Sequence, residues 1–133
     1  MTRALVDDVA ARLTSLVPSR TVYKHAVPSS PVPRYLLVVA SDTRTADTLG
    51  DVPRMRDSVV WVTSVSRNSD AKVAADEAIW GSEKAADSLM GWRTTTGDAA
   101  WKPEHLGGQP VQRDPDLAET VMFCVDRYGF TYQ

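Results

Sequence analysis

Residues 35–40 read Tyr-Leu-Leu-Val-Val-Ala, the longest unbroken apolar run in the chain. A short run without polar alternation predicts a central strand covered on both faces, because period-two polarity is the mark of a half-solvated sheet. It is entered through Pro28-Ser29-Ser30-Pro31-Val32-Pro33. Proline fixes φ and removes a backbone donor, so three prolines in six residues forbid regular structure and hold an extended, stiff connection. The rest of the chain must then supply cover for that strand.

Helical spacing shows where the cover comes from. Leu5, Val9, Leu13 and Leu16 recur at helical intervals, with Val6 and Val17 widening the stripe. Residues 4–17 are therefore predicted as a helix with one buried face. Thr2 stands where a cap belongs, Asp7 and Asp8 lie near the positive end of the dipole, and Pro18 stops the helix. A second helix is predicted over residues 71–89, after the cap-forming Asn68-Ser69-Asp70 and before Gly91. Its stripe is Ala75, Ala78, Ser82, Ala86 and Leu89, flanked by Ile79 and Ala85. Such small residues let a helix approach a sheet closely. Gly81 within it costs about 1 kcal/mol relative to alanine.

Further strands are predicted at residues 22–27, 57–67 and 120–126. Alternation puts Val59, Trp61, Thr63 and Val65 on one face, with Trp61 in the core, and Val121, Phe123 and Val125 together on another strand. Tyr128, Phe130 and Tyr132 continue an alternating pattern to the end. Residues 41–56, with Gly50 and Pro53, read as a long loop or open hairpin. The stretch from Trp92 through Trp101 to Gly107-Gly108 reads as loop. The predicted order is helix, three strands, helix, two strands. That is an α+β fold, one mostly antiparallel or mixed sheet with two helices packed on it, in a single domain spanning 1–133.

Chemistry-bearing motifs are sparse. The one cysteine, Cys124, excludes an internal disulfide framework and a cysteine-based zinc site, and its neighbours Phe123 and Val125 mark it as a small core residue. Of the two histidines, His25 is placed mid-strand and His105 in a surface loop, and neither belongs to a zinc-hydrolase pattern. Gly107-Gly108 lacks the Lys-Ser/Thr of a phosphate loop, and there is no Gly-x-Ser-x-Gly elbow. Asp114, Asp116 and Asp126 offer a candidate cation set, but Asp and Pro at 114–116 also make a charged turn, and that is the preferred reading. No catalytic residue, metal or cofactor is expected. The net charge of −2 argues against nucleic-acid binding through a basic surface. No apolar run approaches the roughly 18 residues of a membrane span. The charge is uneven: residues 1–56 carry net +3 and residues 57–133 net −5. Four tryptophans, Trp61, Trp80, Trp92 and Trp101, suit core or interface. These features together imply a soluble protein of a reducing compartment.

The chain resembles the tail terminator, or tail completion, proteins of long-tailed phages of actinobacteria. The resemblance spans about the whole chain and lies in order and pattern. A short amphipathic helix precedes a strand and the link Val27-Pro28-Ser29-Ser30-Pro31. The apolar strand at 35–40 follows, then a loop of Asp, Thr and Arg. Val59-Val60-Trp61-Val62-Thr63-Ser64-Val65 runs into the Ala-rich helix. Gly108-Gln109-Pro110-Val111-Gln112-Arg113-Asp114-Pro115-Asp116 leads to a last strand closing on Val125-Asp126-Arg127-Tyr128-Gly129-Phe130.

The resemblance implies a structural virion protein of the tail and neck, assembled in the host cytoplasm as a ring of six. Its expected partners are itself, the tail tube protein and the head-side connector, with no membrane, cofactor or specific nucleic acid. It implies no catalytic residues. A ring needs two unlike patches on each subunit, and the uneven charge can supply them. Contacts are expected in residues 41–56, with Arg44, Arg54 and Arg56 meeting an acidic neighbour, and in residues 92–113, with Trp92, Trp101 and Arg113. The alternatives are another neck component, such as a head-closure or adaptor protein, a stand-alone binding module, or a small cation-dependent hydrolase built on the three aspartates and a histidine.

Overall fold

The strand at the middle of the sheet comes late in the chain. The computed structural model describes residues 2–43, 56–96, 99–115 and 120–132; for residues 2, 42–43, 56–57, 94–96, 99–102 and 131–132 it describes the backbone alone. The elements are α1 (Thr2–Leu16), β1 (Thr21–Lys24), β2 (Arg34–Thr43), β3 (Arg56–Arg67), α2 (Ala71–Leu89), β4 (Thr94–Thr96), β5 (Ala99–Gly108), β6 (Gln112–Arg113) and β7 (Val121–Tyr132). The strands lie in the order β1-β2-β3-β7-β5-β4, and β6 pairs with β7 beyond the end of β5. Only β1 and β2 run parallel; the other described pairings are antiparallel. This is the expected α+β fold, a single mixed sheet carrying two helices.

Both helices pack on one face. From α1 come Leu5, Val6, Val9, Leu13 and Val17, the last just past its end; from β2, Leu36 and Val38; from β3, Val60 and Val62; from β7, Tyr128 and Phe130. Period-two alternation puts these strand residues on a common side, so the even-numbered positions of β2, β3 and β7 meet the helices. Leu16, predicted within the stripe, is 47% exposed, and Val17 takes the buried place. Thr2 lies inside the helix and is not its cap.

The limits of α2 match the predicted span. Asp70 caps it, its Oδ1 accepting from the Lys72 and Val73 amides at 3.0 and 3.4 Å. Gly91 takes φ 77 just beyond the C-terminal cap, a conformation that favours glycine. The buried stripe is Ala74, Ala78, Gly81, Ala85, Ser88 and Leu89, rotated from the predicted one; Ile79 is 38% exposed. Gly81 sets the helix down on the sheet, because a Cβ there would overlap the Ser64 hydroxyl. Arg12 Nε donates to the Ser88 carbonyl at 3.0 Å and ties the two helices together.

Three expectations need correction. The stretch after α2 is not loop: β4 and β5 form there and complete the sheet on the far side of β7. His25 is not mid-strand; it follows β1 with φ 69 and is exposed. Trp61 belongs to the face opposite the helices, since its strand neighbours Val60 and Val62 hold the core.

Candidate functional site

The face of the sheet away from the helices carries Tyr35, Leu37 and Val39 of β2, Val59, Trp61, Thr63 and Val65 of β3, and Val121, Phe123 and Val125 of β7. Cross-strand pairing brings them side by side: Leu37 faces Thr63, Val39 faces Trp61, Thr63 faces Val125 and Val65 faces Phe123. Most are half-buried. An antiparallel sheet with one free side ordinarily presents polar residues there. Here both sides are apolar, and the two helices cover one of them.

Two features shape the rim of this face. The first is the proline-rich link. Parallel β1 and β2 are joined by residues 25–33 alone, short for a parallel crossover, which commonly takes a dozen or more residues. An extended, stiff chain is the way to span that return in few residues. The link crosses the open side: Tyr23 Oη accepts from the Val32 amide at 3.2 Å, and Pro33 accepts from the Arg67 amide at 2.8 Å. Tyr23 and Tyr35 meet edge to face, 5.3 Å between centroids. Between link and sheet lies a hollow of about 320 Å³ lined by Val32, Leu37, Val65, Val121 and Phe123, with Arg67 and Asp114 at its lip. Burial raises the Tyr35 phenol above its ordinary value, against a smaller opposing pull from Arg67.

The second feature is a bulge in β5. The pairing with β7 shifts register between His105 and Gly107, so Leu106 is an extra residue. Leu106 lies across Gly129, where a Cβ would stand 3.2 Å from its Cδ1, and is 42% exposed. With Trp61, Gly107, Gly108, Gln109, Val125 and Arg127 it lines a second hollow, of about 600 Å³, at the other end of the face.

The same bulge turns His105 and Gly108 toward Asp126 on the helix side. The Ser82 hydroxyl of α2 donates to Asp126 Oδ2, and His105 Nε2 lies 3.1 Å from Oδ1. His105 also meets Tyr128 edge to face at 5.2 Å. The carboxylate stands between serine and imidazole. That is opposite to the order in which a histidine would draw a proton from a nucleophile. What the trio does mechanically is pin α2 to β7 and β5. Asp114 lines the hollow on the open face, so the sheet separates it from Asp126, and Asp116 lies outside the described residues. No group of three potential metal ligands occurs among the described residues.

The other expected contact residues are dispersed. Arg44 and Arg54 lie outside the described residues. Arg56 opens β3, pairing with Tyr132, and Trp101 pairs with Thr94, their side chains undescribed. Trp92 packs half-buried against the core with the Arg12 guanidinium 5.4 Å from its ring. Arg113 is exposed on β6. Trp80 is held between Arg20 and Lys84, at 4.6 and 5.6 Å. Desolvation, then the neighbouring Arg34, lower the Arg20 guanidinium from its ordinary value. Cys124 is buried and unpaired, and burial raises its thiol.

The open face escaped the sequence reading. Alternation identified the sets of residues that share a side, but both sides are apolar, so nothing marked which one the helices take.

No family model and no curated protein matches the sequence. Several solved structures match, and one of them superposes with a TM-score of 0.54 at 19% identity, covering 98% of this chain and 89% of that chain. A likeness at that identity shows the fold alone. No helix among the described residues is long and apolar enough to cross a membrane.

Proposed function

We propose that the chain is a structural protein that works by contact. In this reading it assembles with copies of itself into a ring that caps a tail tube, as tail terminator proteins of long-tailed phages do. The observation that carries this reading is the open apolar face. Tyr35, Leu37, Val39, Trp61, Phe123 and Val125 lie only half-buried on one side of a sheet whose other side is already filled. Contiguous apolar surface rimmed by polar residues marks a site of protein association.

In a cap, one face of the ring copies the mating surface of a tube layer, and the other lacks it. Growth then stops for steric reasons, and the head-side connector docks on the surface left. Strength comes from several copies acting together, each through a modest contact. The segments at 41–56 and 92–113, with Arg44, Arg54, Arg56, Trp92, Trp101 and Arg113, are the further contact candidates.

The test is electron microscopy of the purified protein alone and mixed with growing tail tubes. Rings, or tubes of limited length bearing an added layer at one end, are expected. Tubes that grow on unchanged, with no added layer and no rings, would overturn the reading.

A further inference from the structure

We infer that the first part of α2, residues 71–84, opens away from the sheet as a unit of its own while the rest of the molecule stays folded. This goes beyond the capping reading and does not depend on it.

The apolar core is mainly the work of the other helix. α1 sends Leu5, Val6, Val9 and Leu13 into it, each at most 1% exposed. Over residues 71–84, α2 buries two alanines and a glycine, Ala74, Ala78 and Gly81, and of its buried residues only Ala85 and Leu89 belong to the core cluster. Its large apolar side chains in that stretch point outward: Val73 is 40% exposed, Ile79 38% and Trp80 39%. An alanine takes one methyl out of water and a glycine none. Closing this part of α2 therefore gains little of the area-proportional stabilisation that holds α1 down.

What lies beneath adds a penalty. Ser64 and Ser66 of β3 stand on the helix side, 1% and 0% exposed, and neither hydroxyl has a hydrogen-bond partner among the described residues. Ser64 Oγ is aimed at Gly81, where a Cβ would overlap it. A buried, unmade hydrogen bond costs free energy that solvent restores once the hydroxyl is exposed. The closed state leans instead on polar ties. The Ser82 hydroxyl donates to Asp126, whose side chain is 13% exposed. Arg34 reaches Glu77 Oε2 at 2.9 Å, but the Arg34 side chain is 55% exposed and solvent screens such a pair.

The two ends of the helix differ. Past residue 84, Leu89 is fully buried, Arg12 holds the Ser88 carbonyl and Trp92 packs on the core. Before it stands Gly81, the interior residue of lowest helix propensity in α2. Segments with few buried apolar contacts open locally at less than the cost of global unfolding. Residues 71–84 meet that description; α1 and the last turn of α2 do not.

The chain carries its own reporter of the opening. Cys124, the single cysteine, pairs with Ser64 across β3 and β7 and is 5% exposed on the same side of the sheet. The experiment follows reaction of this thiol with an aromatic disulfide reagent in the full chain, from zero to moderate urea, beside the urea unfolding curve. Labelling is expected through an opening on the order of 100-fold more frequent than global unfolding. Its dependence on urea should be much shallower than the unfolding slope, which scales with the surface exposed. Ser82→Ala should speed labelling by about tenfold or more, since it removes a hydrogen bond to a charged group, and Ser64→Ala should slow it about fivefold, since it removes an unmade one. Amides of residues 74–81 should exchange with deuterium ahead of those of residues 6–13 in α1. Labelling that tracks the global unfolding curve overturns the inference. So does labelling indifferent to both substitutions, however fast, or exchange of the two helices in step.

Discussion

Gly81 and Ser64 make a contact whose energy is open to direct test. In an exposed helix interior, replacing glycine by alanine gains about 1 kcal/mol. At Gly81 the new methyl would overlap the Ser64 hydroxyl, while Ser64 Cβ at 3.4 Å and Leu36 Cδ2 at 3.5 Å are ordinary neighbours. The obstacle is one oxygen. Overpacking a core commonly costs about 1–3 kcal/mol, so Gly81→Ala alone should be destabilising by about 1 kcal/mol after the helix gain is counted. Ser64 is 1% exposed and its hydroxyl has no hydrogen-bond partner among the described residues. Ser64→Ala removes a buried unmade hydrogen bond and should stabilise by about 1 kcal/mol. With both changes the methyl enters the vacated space and the helix gain is kept, for a total near 2 kcal/mol above the starting protein. The coupling is then about 2 kcal/mol, well outside the additivity expected of separated sites. Urea unfolding of the four proteins, with unchanged slopes, reads it. Additive effects within about 0.5 kcal/mol, or a stabilising Gly81→Ala by itself, would refute the packing argument.

Two more predictions concern a cap and a pH range. Asp70→Ala removes the acceptor for two amides at the start of α2 and should cost about 1 kcal/mol in thermal unfolding; no loss would mean that solvent satisfies those amides equally well. Burial raises Cys124 and, more strongly, Tyr128, with the Asp126 charge adding to both. The folded state therefore holds these protons longer than the unfolded one. Stability should be level below the unfolded thiol's value of about 8.5 and fall as pH rises through about 10, where an unfolded phenol ionises. Stability that holds or rises in that range, measured by urea midpoint, would contradict the burial of both groups.

Local signals fixed elements better than they fixed faces. The ends of α2 were legible because Asp70 and Gly91 are specific in their roles. Its buried stripe was not, since alanines at 74 and 75 and at 85 and 86 offer two equivalent stripes. The choice is made by Gly81 meeting Ser64 across the interface, a contact between residues distant in sequence. β5 was missed for a comparable reason. Pro103, Gly107 and Gly108 punctuate like a loop, yet β4 covers β5 only at residues 99–101, so no described strand pairs with the other edge of β5 at Pro103 and a missing donor is tolerable there. Without β5 as a strand, the meeting of His105 with Asp126 had no basis in sequence.

The late position of β7 also governs the order in which the molecule can come into being on a ribosome. Tyr128 and Phe130 fill the core, and β7 pairs with β3, β5 and β6. Until residue 132 has emerged, α1, α2 and the earlier strands have no central strand to close on, and one long edge of β3 is bare. A bare edge beside apolar side chains is an invitation to pair with another nascent chain. Folding here must thus wait for β7, and chains stopped short of it should collect in the insoluble fraction.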